Sequence, residues 1–301
     1  MPDWMTVSFP ISGVQTWVLL PPLVAFVVSF FSSMVGISGA FLLLPFQMSV
    51  LHFTTPAVSS TNLVFNLIAI PGGLWRYIQE GRMAWPLTWI IGAGTLPGIG
   101  IGYYLRVFHL SDPKPFQLFV GCVLLYPGLR LLGSYRPWNT GPVLRTEPQT
   151  TPGNAVIRIR HFSPTRVEYE FRGETIRFRT LGMFLLALVV GVVGGIYGIG
   201  GGAIIAPFCV TFFRLPMHTI AGAALGATLL TSMAGVILYS LLPAPPGLPT
   251  HPDWALGALF GLGGVGGMYL GARCQKFISQ KWLKRLLGLL LTLLAMRYIL
   301  V

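Results

Sequence analysis

The run Gly194-Gly195-Ile196-Tyr197-Gly198-Ile199-Gly200-Gly201-Gly202-Ala203-Ile204-Ile205-Ala206-Pro207 decides the fold. It lies between two apolar runs, 181–193 and 203–213, yet it resists a helix interior. Each Gly costs a helix about 1 kcal/mol relative to Ala, and six of the nine positions 194–202 are Gly. A break inside hydrocarbon frees N–H and C=O groups that lipid cannot satisfy. Such backbone persists only where it lines a cavity or holds something. A helix restarting at Ala203 aims free N–H groups and the positive end of its dipole at the occupant, most naturally an anion. Two plainer readings compete. A soluble dinucleotide loop fails, because no Lys-Ser/Thr follows, no acidic residue stands some twenty positions on, and both flanks are lipid-like. Glycine for close helix packing alone stays open.

The rest of the chain fits a membrane. Of 301 residues, 53% are hydrophobic and 9% charged, against about 25% charged in soluble domains. The net charge of +12 would suggest nucleic acid in a soluble protein. Here the basic residues flank apolar segments, so orientation and anionic lipid explain them, and no nucleic-acid partner is expected. Cys122, Cys209 and Cys274 lie in or at the ends of apolar segments without a CxxC pair, so neither a disulfide framework nor a metal site follows. No Lys or Arg precedes the first apolar run, which argues against a cleaved signal peptide.

After a short lead over residues 1–16, ten apolar segments fall into two groups of five. The first group reads 17–35, 40–51, 56–75, 85–105 and 116–132; the second reads 181–197, 203–213, 219–242, 254–272 and 283–300. The second and seventh are the shortest, and each directly follows a Gly-rich break. The groups look like copies. At an offset of 162, Gly36, Ile37, Gly39, Pro45 and Leu63 fall on Gly198, Ile199, Gly201, Pro207 and Leu225. After the Pro-rich stretch 243–249 the offset becomes 169, and Trp85, Gly92, Gly94, Gly98 and Gly102 meet Trp254, Gly261, Gly263, Gly267 and Gly271.

Charge orients the copies. With the N-terminus outside, all but three of the 20 Lys and Arg face inward; the outer face keeps Arg106, Lys114 and Arg297. An odd-numbered repeat whose second copy starts on the opposite face is inverted, as in secondary transporters. Between the halves, 154–162, 166–171 and 175–179 alternate polar with apolar, and Arg172-Gly173 suits a tight turn. The expected fold is an all-α polytopic membrane protein: an inverted repeat of two five-segment halves with broken or re-entrant helices, plus a small cytoplasmic β-meander insert. Its units are a first transmembrane repeat (17–133), a cytoplasmic linker with the β subdomain (134–180) and a second repeat (181–301). The expected location is the plasma membrane of a prokaryote, multi-pass, with both termini outside.

The paired breaks Gly36-Ile37-Ser38-Gly39-Ala40-Phe41 and Gly198-Ile199-Gly200-Gly201-Gly202-Ala203, with Pro45 and Pro207 following, resemble the TauE/SafE sulfite-exporter family, also called the toluene-sulfonate uptake permeases. The likeness spans about 20–132 and 181–300. It implies transport of sulfur-containing anions such as sulfite, sulfoacetate or other sulfonates, and export across the plasma membrane is the expected direction. An anion channel, or an uptake permease for another small organic anion on the same fold, is the alternative. Ser38 and Ala40 depart from the double-Gly pattern, which implies a less open first break.

All eight carboxylates lie in loops or termini. Carboxylate proton relays and carboxylate Na⁺ sites are therefore excluded from the apolar segments. An anion would be held by backbone N–H groups around Ser38, Gly39, Ala40 and Phe41, and around Gly200, Gly201, Gly202 and Ala203. Asn62, Asn66 and Thr228 are the first neutral donors to join them, with Ser59, Ser60, Thr61, Thr231 and Ser232 beside these. Serine and threonine hydroxyls in membrane helices usually bond their own helix. An amide in lipid must find a partner, which singles out Asn62 and Asn66. Arg214 and His218 mark a corner at the inner mouth. An enzyme would need clustered His, Cys or carboxylates at bilayer depth, and the segments offer none. No enzyme activity and no cofactor are expected. The expected partners are a small sulfur-containing anion and the lipid bilayer, with room for a homodimer.

Overall fold

A computed structural model describes residues 6–35, 38–79, 81, 83–133, 158–163, 165–171, 174–213, 215, 217–274 and 280–300. Gly36 and Ile37 of the first break, the linker 134–157, the Arg172-Gly173 turn and Arg214 lie outside them, as do the side chains of Ala203, Pro207 and His218. A hairpin of β1 (Thr6–Ser8) and β2 (Gln15–Trp17) precedes α1 (Leu20–Val35), α2 (Ala40–Ser49), α3 (Ala57–Gln79), α4 (Trp85–Phe108) and α5 (Pro113–Gly133). The insert is β3 (Arg158–Phe162), β4 (Arg166–Phe171) and β5 (Glu174–Arg179). Then come α6 (Thr180–Tyr197), α7 (Gly202–Phe212), α8 (Met217–Leu241), α9 (Trp254–Cys274) and α10 (Gln280–Leu300). The ten helices coincide with the ten apolar segments to within a few residues.

Among the described residues, five helices are long and apolar enough to cross a bilayer: 57–79, 113–133, 180–197, 220–241 and 254–271. Helices α2 and α7, with 10 and 11 residues, reach only about 15–17 Å at 1.5 Å per residue, half a hydrocarbon core. Many large apolar side chains point outward, among them Leu23, Val189, Ile237, Leu262 and Leu293. An apolar belt of that extent suits lipid.

Glycine sets the helix pairs. A Cβ on Gly94, Gly98 or Gly102 of α4 would lie 2.7, 2.5 or 2.6 Å from the carbonyl oxygens of Phe184, Leu188 or Val192 in α6. In the other half Gly263, Gly267 and Gly271 of α9 press as closely on the carbonyls of Pro22, Phe26 and Phe30 in α1. These are the same positions shifted by the offsets 169 and 162. In both pairs the numbers climb together, so the helices are parallel. Each half thus interlocks with the first helix of the other, an exchange consistent with the expected inverted repeat.

The short helices fold back on their predecessors. Gly201 sits against Gly191, and a Cβ on Gly182 would lie 3.4 Å from the Phe213 ring; Cys209 Sγ lies 3.6 Å from Met183 Sδ. Helix α7 therefore returns along α6 to the end where it began. At the equivalent place Gly39 packs on Ser29, and α2 returns along α1, with Phe46 edge-on to Phe260 and Pro45 O accepting from Tyr298 OH at 3.1 Å. The two helical hairpins enter the bundle from opposite ends and meet tip to tip.

The insert is an antiparallel meander with β4 in the centre. Val167, Tyr169, Ile176 and Phe178 alternate inward, and Phe178 meets Phe213 edge-on. The outer face pairs Arg160 with Glu170 at 2.7 Å and Arg177 with Glu168 at 3.2 Å. The lead is also ordered into structure, which the sequence reading did not anticipate. Phe9 and Val14 of its hairpin are buried, and Ser12 gives Asp253 two hydrogen bonds of 3.1 and 2.9 Å. Asp253 in turn accepts from Leu256 N–H at 3.2 Å and so caps α9. This hairpin and the last turn of α10 lie at one end of the bundle; the β3–β5 sheet lies at the other.

Candidate functional site

The tips are built by the local chain. Helix α6 ends because Gly198 takes a left-handed φ of +80°, its N–H and that of Ile199 both closing on Gly194 O. Gly200 follows with φ +70°. Two left-handed residues in three positions reverse the chain and start α7, whose first residue Gly202 has no side-chain cap from Gly201.

Two side chains, Asn66 and Tyr197, join the two tips. Asn66, nine residues or about 14 Å along α3, accepts from Ser38 Oγ at 3.1 Å and donates to Ile199 O at 2.9 Å. Asn62, one turn earlier, donates to Ala40 O at 3.1 Å and accepts from Gln47 Nε2 at 3.4 Å. Tyr197 OH donates to Phe41 O at 2.8 Å, and the two rings stack at 5.5 Å. Ser59 Oγ donates to Ile196 O at 3.0 Å. All of these residues are buried.

The predicted site residues therefore come together, with roles finer than the sequence suggested. The Asn62 and Asn66 amides hold break carbonyls; they are clamps. Thr228 and Thr231 hydroxyls return to Ala224 O and Ala227 O of their own helix at 2.7 and 2.8 Å, the usual fate of such groups. Gly39, Gly201 and Gly202 leave no room for a side chain. A Cβ on Gly39 would stand 2.5 Å from Ser29 Oγ, and one on Gly202 2.5 Å from Thr228 Oγ1. Close packing, the plainer reading of these glycines, holds at those three positions.

The two tips differ in their donors. In the first, Ser38 Oγ accepts from Ala40 N–H at 3.3 Å, and Phe41, Leu42 and Leu43 N–H close on Ser38 O or Gly39 O. In the second, the N–H groups of Gly200, Gly201 and Gly202 make no backbone hydrogen bond among the described residues. Beside them Ser232 Oγ, 3.0 Å from where a Gly200 Cβ would be, is buried with no partner. The N-terminus of α7 thus presents three N–H donors, a free hydroxyl and a positive dipole end in one buried place. Such a cluster of donors could receive the oxygens of an anion.

Sequence reasoning missed Tyr197 and Gln47 as tip contacts. It also placed Arg106 on the outer face. The structure buries the Arg106 side chain completely, which counting charges by side did not anticipate. A lone Arg at the end of an apolar segment ordinarily snorkels to water, and only the tertiary contacts distinguish the two cases.

The family follows from the whole chain. Residues 22–298 match the family described as Sulfite exporter TauE/SafE. The chain belongs to the TauE/SafE family. That family is one of membrane transporters, and a transporter it is similar to is the "Probable membrane transporter protein YunE" of Bacillus subtilis (strain 168). The two are 24% identical over 260 residues, covering 83% of this chain and 84% of the relative. No solved structure matches. Membership accounts for the multi-pass architecture, and the TauE/SafE match runs through both hairpin tips.

Proposed function

We propose that this TauE/SafE transporter exports sulfur oxyanions such as sulfite, sulfoacetate or related organosulfonates across the plasma membrane. Its two transmembrane repeats would be 17–133 and 181–301, with 134–180 as a cytoplasmic insert. The anion docks at the N-terminus of α7. The observation that carries this is the unpaired donor set there: Gly200, Gly201 and Gly202 N–H with Ser232 Oγ. Sulfonate and sulfite oxygens accept several hydrogen bonds at once without needing a buried counter-carboxylate. Backbone donors pre-set by α7 bind them with little reorganisation. Asn66 ties the tip of the other repeat to the same place, so movement of one repeat against the other passes through the docked anion.

Ser232→Ala tests the site. Because its hydroxyl has no partner among the described residues, removing it orphans none of them. The expected result is a KM for sulfite or sulfoacetate raised about tenfold in proteoliposomes, the loss of roughly one hydrogen bond to a charged group, with no fall in melting temperature. An unchanged KM would remove the anion from this position.

Orientation has its own test. On a cysteine-free background, Pro10→Cys and Pro246→Cys should react with an impermeant maleimide from outside intact cells, and Thr175→Cys only after lysis. Labelling of position 175 from outside would reverse the assigned faces.

A further inference from the structure

We propose that Arg106 is a specificity-determining residue: a fixed, buried positive charge beside the second tip that favours doubly charged anions over singly charged ones. This rests on the sulfur-oxyanion reading above and deepens it by naming the charge class of the substrate.

Arg106 is fully buried near the hairpin end of α4. Its Nε donates to Ser59 Oγ at 3.3 Å, Nη1 to Leu110 O, and Nη2 to Thr54 O at 3.2 Å. The guanidinium lies over the Phe116 ring, 3.6 Å from its centroid. An Arg has five N–H donors, so two have no acceptor among the described residues. No described carboxylate pairs with it either. Its polar neighbours are carbonyls and hydroxyls, with Tyr239 close enough to interact electrostatically.

This charge adjoins the tip directly. Ser59 Oγ, which accepts from Arg106, donates onward to Ile196 O. The Ser59 backbone lies against Gly198 so closely that a Cβ there would overlap it. Tyr239 OH donates to Gly195 O at 3.1 Å. One serine therefore separates the guanidinium from the left-handed residue that ends α6. Burying a cation without a counter-charge costs several kcal/mol unless something completes the pair. Surface arginines at bilayer edges avoid that cost by snorkelling, yet Arg106 is held in by three hydrogen bonds and a ring. A mobile anion at the second tip would supply the missing charge. The position in the second half at offset 169 is Gln275, so the duplicated scaffold carries this charge on one side only.

The charge acts at a distance across a low-dielectric interior, where an added unit of substrate charge gains more than it would in water. The test compares dianionic sulfoacetate with monoanionic methanesulfonate, taking the ratio of their kcat/KM values in proteoliposomes. Two variants remove the net charge by different routes: Arg106→Gln deletes it, and Ser59→Asp neutralises it in place. Both are expected to lower the dianion-to-monoanion ratio about tenfold. Arg106→Lys, which keeps the charge, should hold the ratio within about threefold. A purely structural role would reduce both substrates together and leave the ratio unchanged. An unchanged ratio in either charge-removing variant overturns the proposal while leaving sulfonate transport intact. If the unaltered protein moves neither sulfonate, the oxyanion reading fails, and the charge preference fails with it.

Discussion

Asn66→Leu should reduce sulfonate flux at least a hundredfold or so while the protein still inserts into the membrane. The leucine has asparagine's number of side-chain heavy atoms but two methyl groups in place of the amide, so hydrogen bonding is lost and the fit is slightly tighter. It orphans Ile199 O in the second tip and frees Ser38 Oγ in the first, both buried. Each unsatisfied buried group costs about 1–3 kcal/mol, and here the cost falls on the relative placement of the two tips. Asn62→Leu provides the comparison. Asn62 touches only the first tip through Ala40 O, and its second bond to Gln47 is long at 3.4 Å. A loss of about tenfold is expected there. Flux normalised to incorporated protein, measured beside the melting temperature, reads both. Near-normal flux in Asn66→Leu would mean that the Asn66 bridge is not needed for transport.

The largest effect on stability is expected at the glycine seams. Gly98→Leu and Gly267→Leu should each prevent stable folding, because the added side chain meets a carbonyl oxygen of the neighbouring helix. In the first case that oxygen is Leu188 O, 2.5 Å from the new Cβ; in the second it is Phe26 O. Even Ala at either position forces two parallel helices apart, at about 1–3 kcal/mol for one methyl group in a full seam. Gly100 is an internal control, since nothing lies within 4 Å of its Cβ direction although it shares α4 with Gly98. Gly100→Ala should be neutral or stabilise by up to about 1 kcal/mol through helix propensity. Thermal unfolding in detergent separates the three alanine variants. Equal destabilisation by Gly98→Ala and Gly267→Ala would also show that the two seams are equivalent. A Gly98→Ala protein as stable as Gly100→Ala would refute the seam.

The amino-acid sequence by itself determined the ten helices and the breaks between them. Helix length and helix interruption depend on local apolar runs and on glycine, which act within a few residues. The same holds for the meander, whose alternation at 166–171 and 175–179 returns as β4 and β5. The offset 169 already paired the glycines of the two seams, Gly94, Gly98 and Gly102 with Gly263, Gly267 and Gly271, but left open what they would meet. Gly94 could have met any neighbour; that it meets Phe184 in the other half is a matter of topology.

The direction of α2 and α7 was decided only in three dimensions. A short helix after a break fits a continued crossing or a return equally well, and Gly39 on Ser29 and Gly201 on Gly191 select the return. The site followed the same division. Asn62 and Asn66 were legible because an amide in lipid must have a partner, yet the partner could have been a ligand or the chain. Their amides went to Ala40 O and Ile199 O, while Ser232 Oγ is one of four buried hydroxyls left unpaired among the described residues. Arg106 shows the limit most plainly. Its sequence neighbours match those of an arginine anchored at the bilayer edge. Its burial comes from Thr54, Ser59 and Phe116, brought to it from other parts of the chain. A long charged side chain follows its acceptors, and where those stand is a property of the fold.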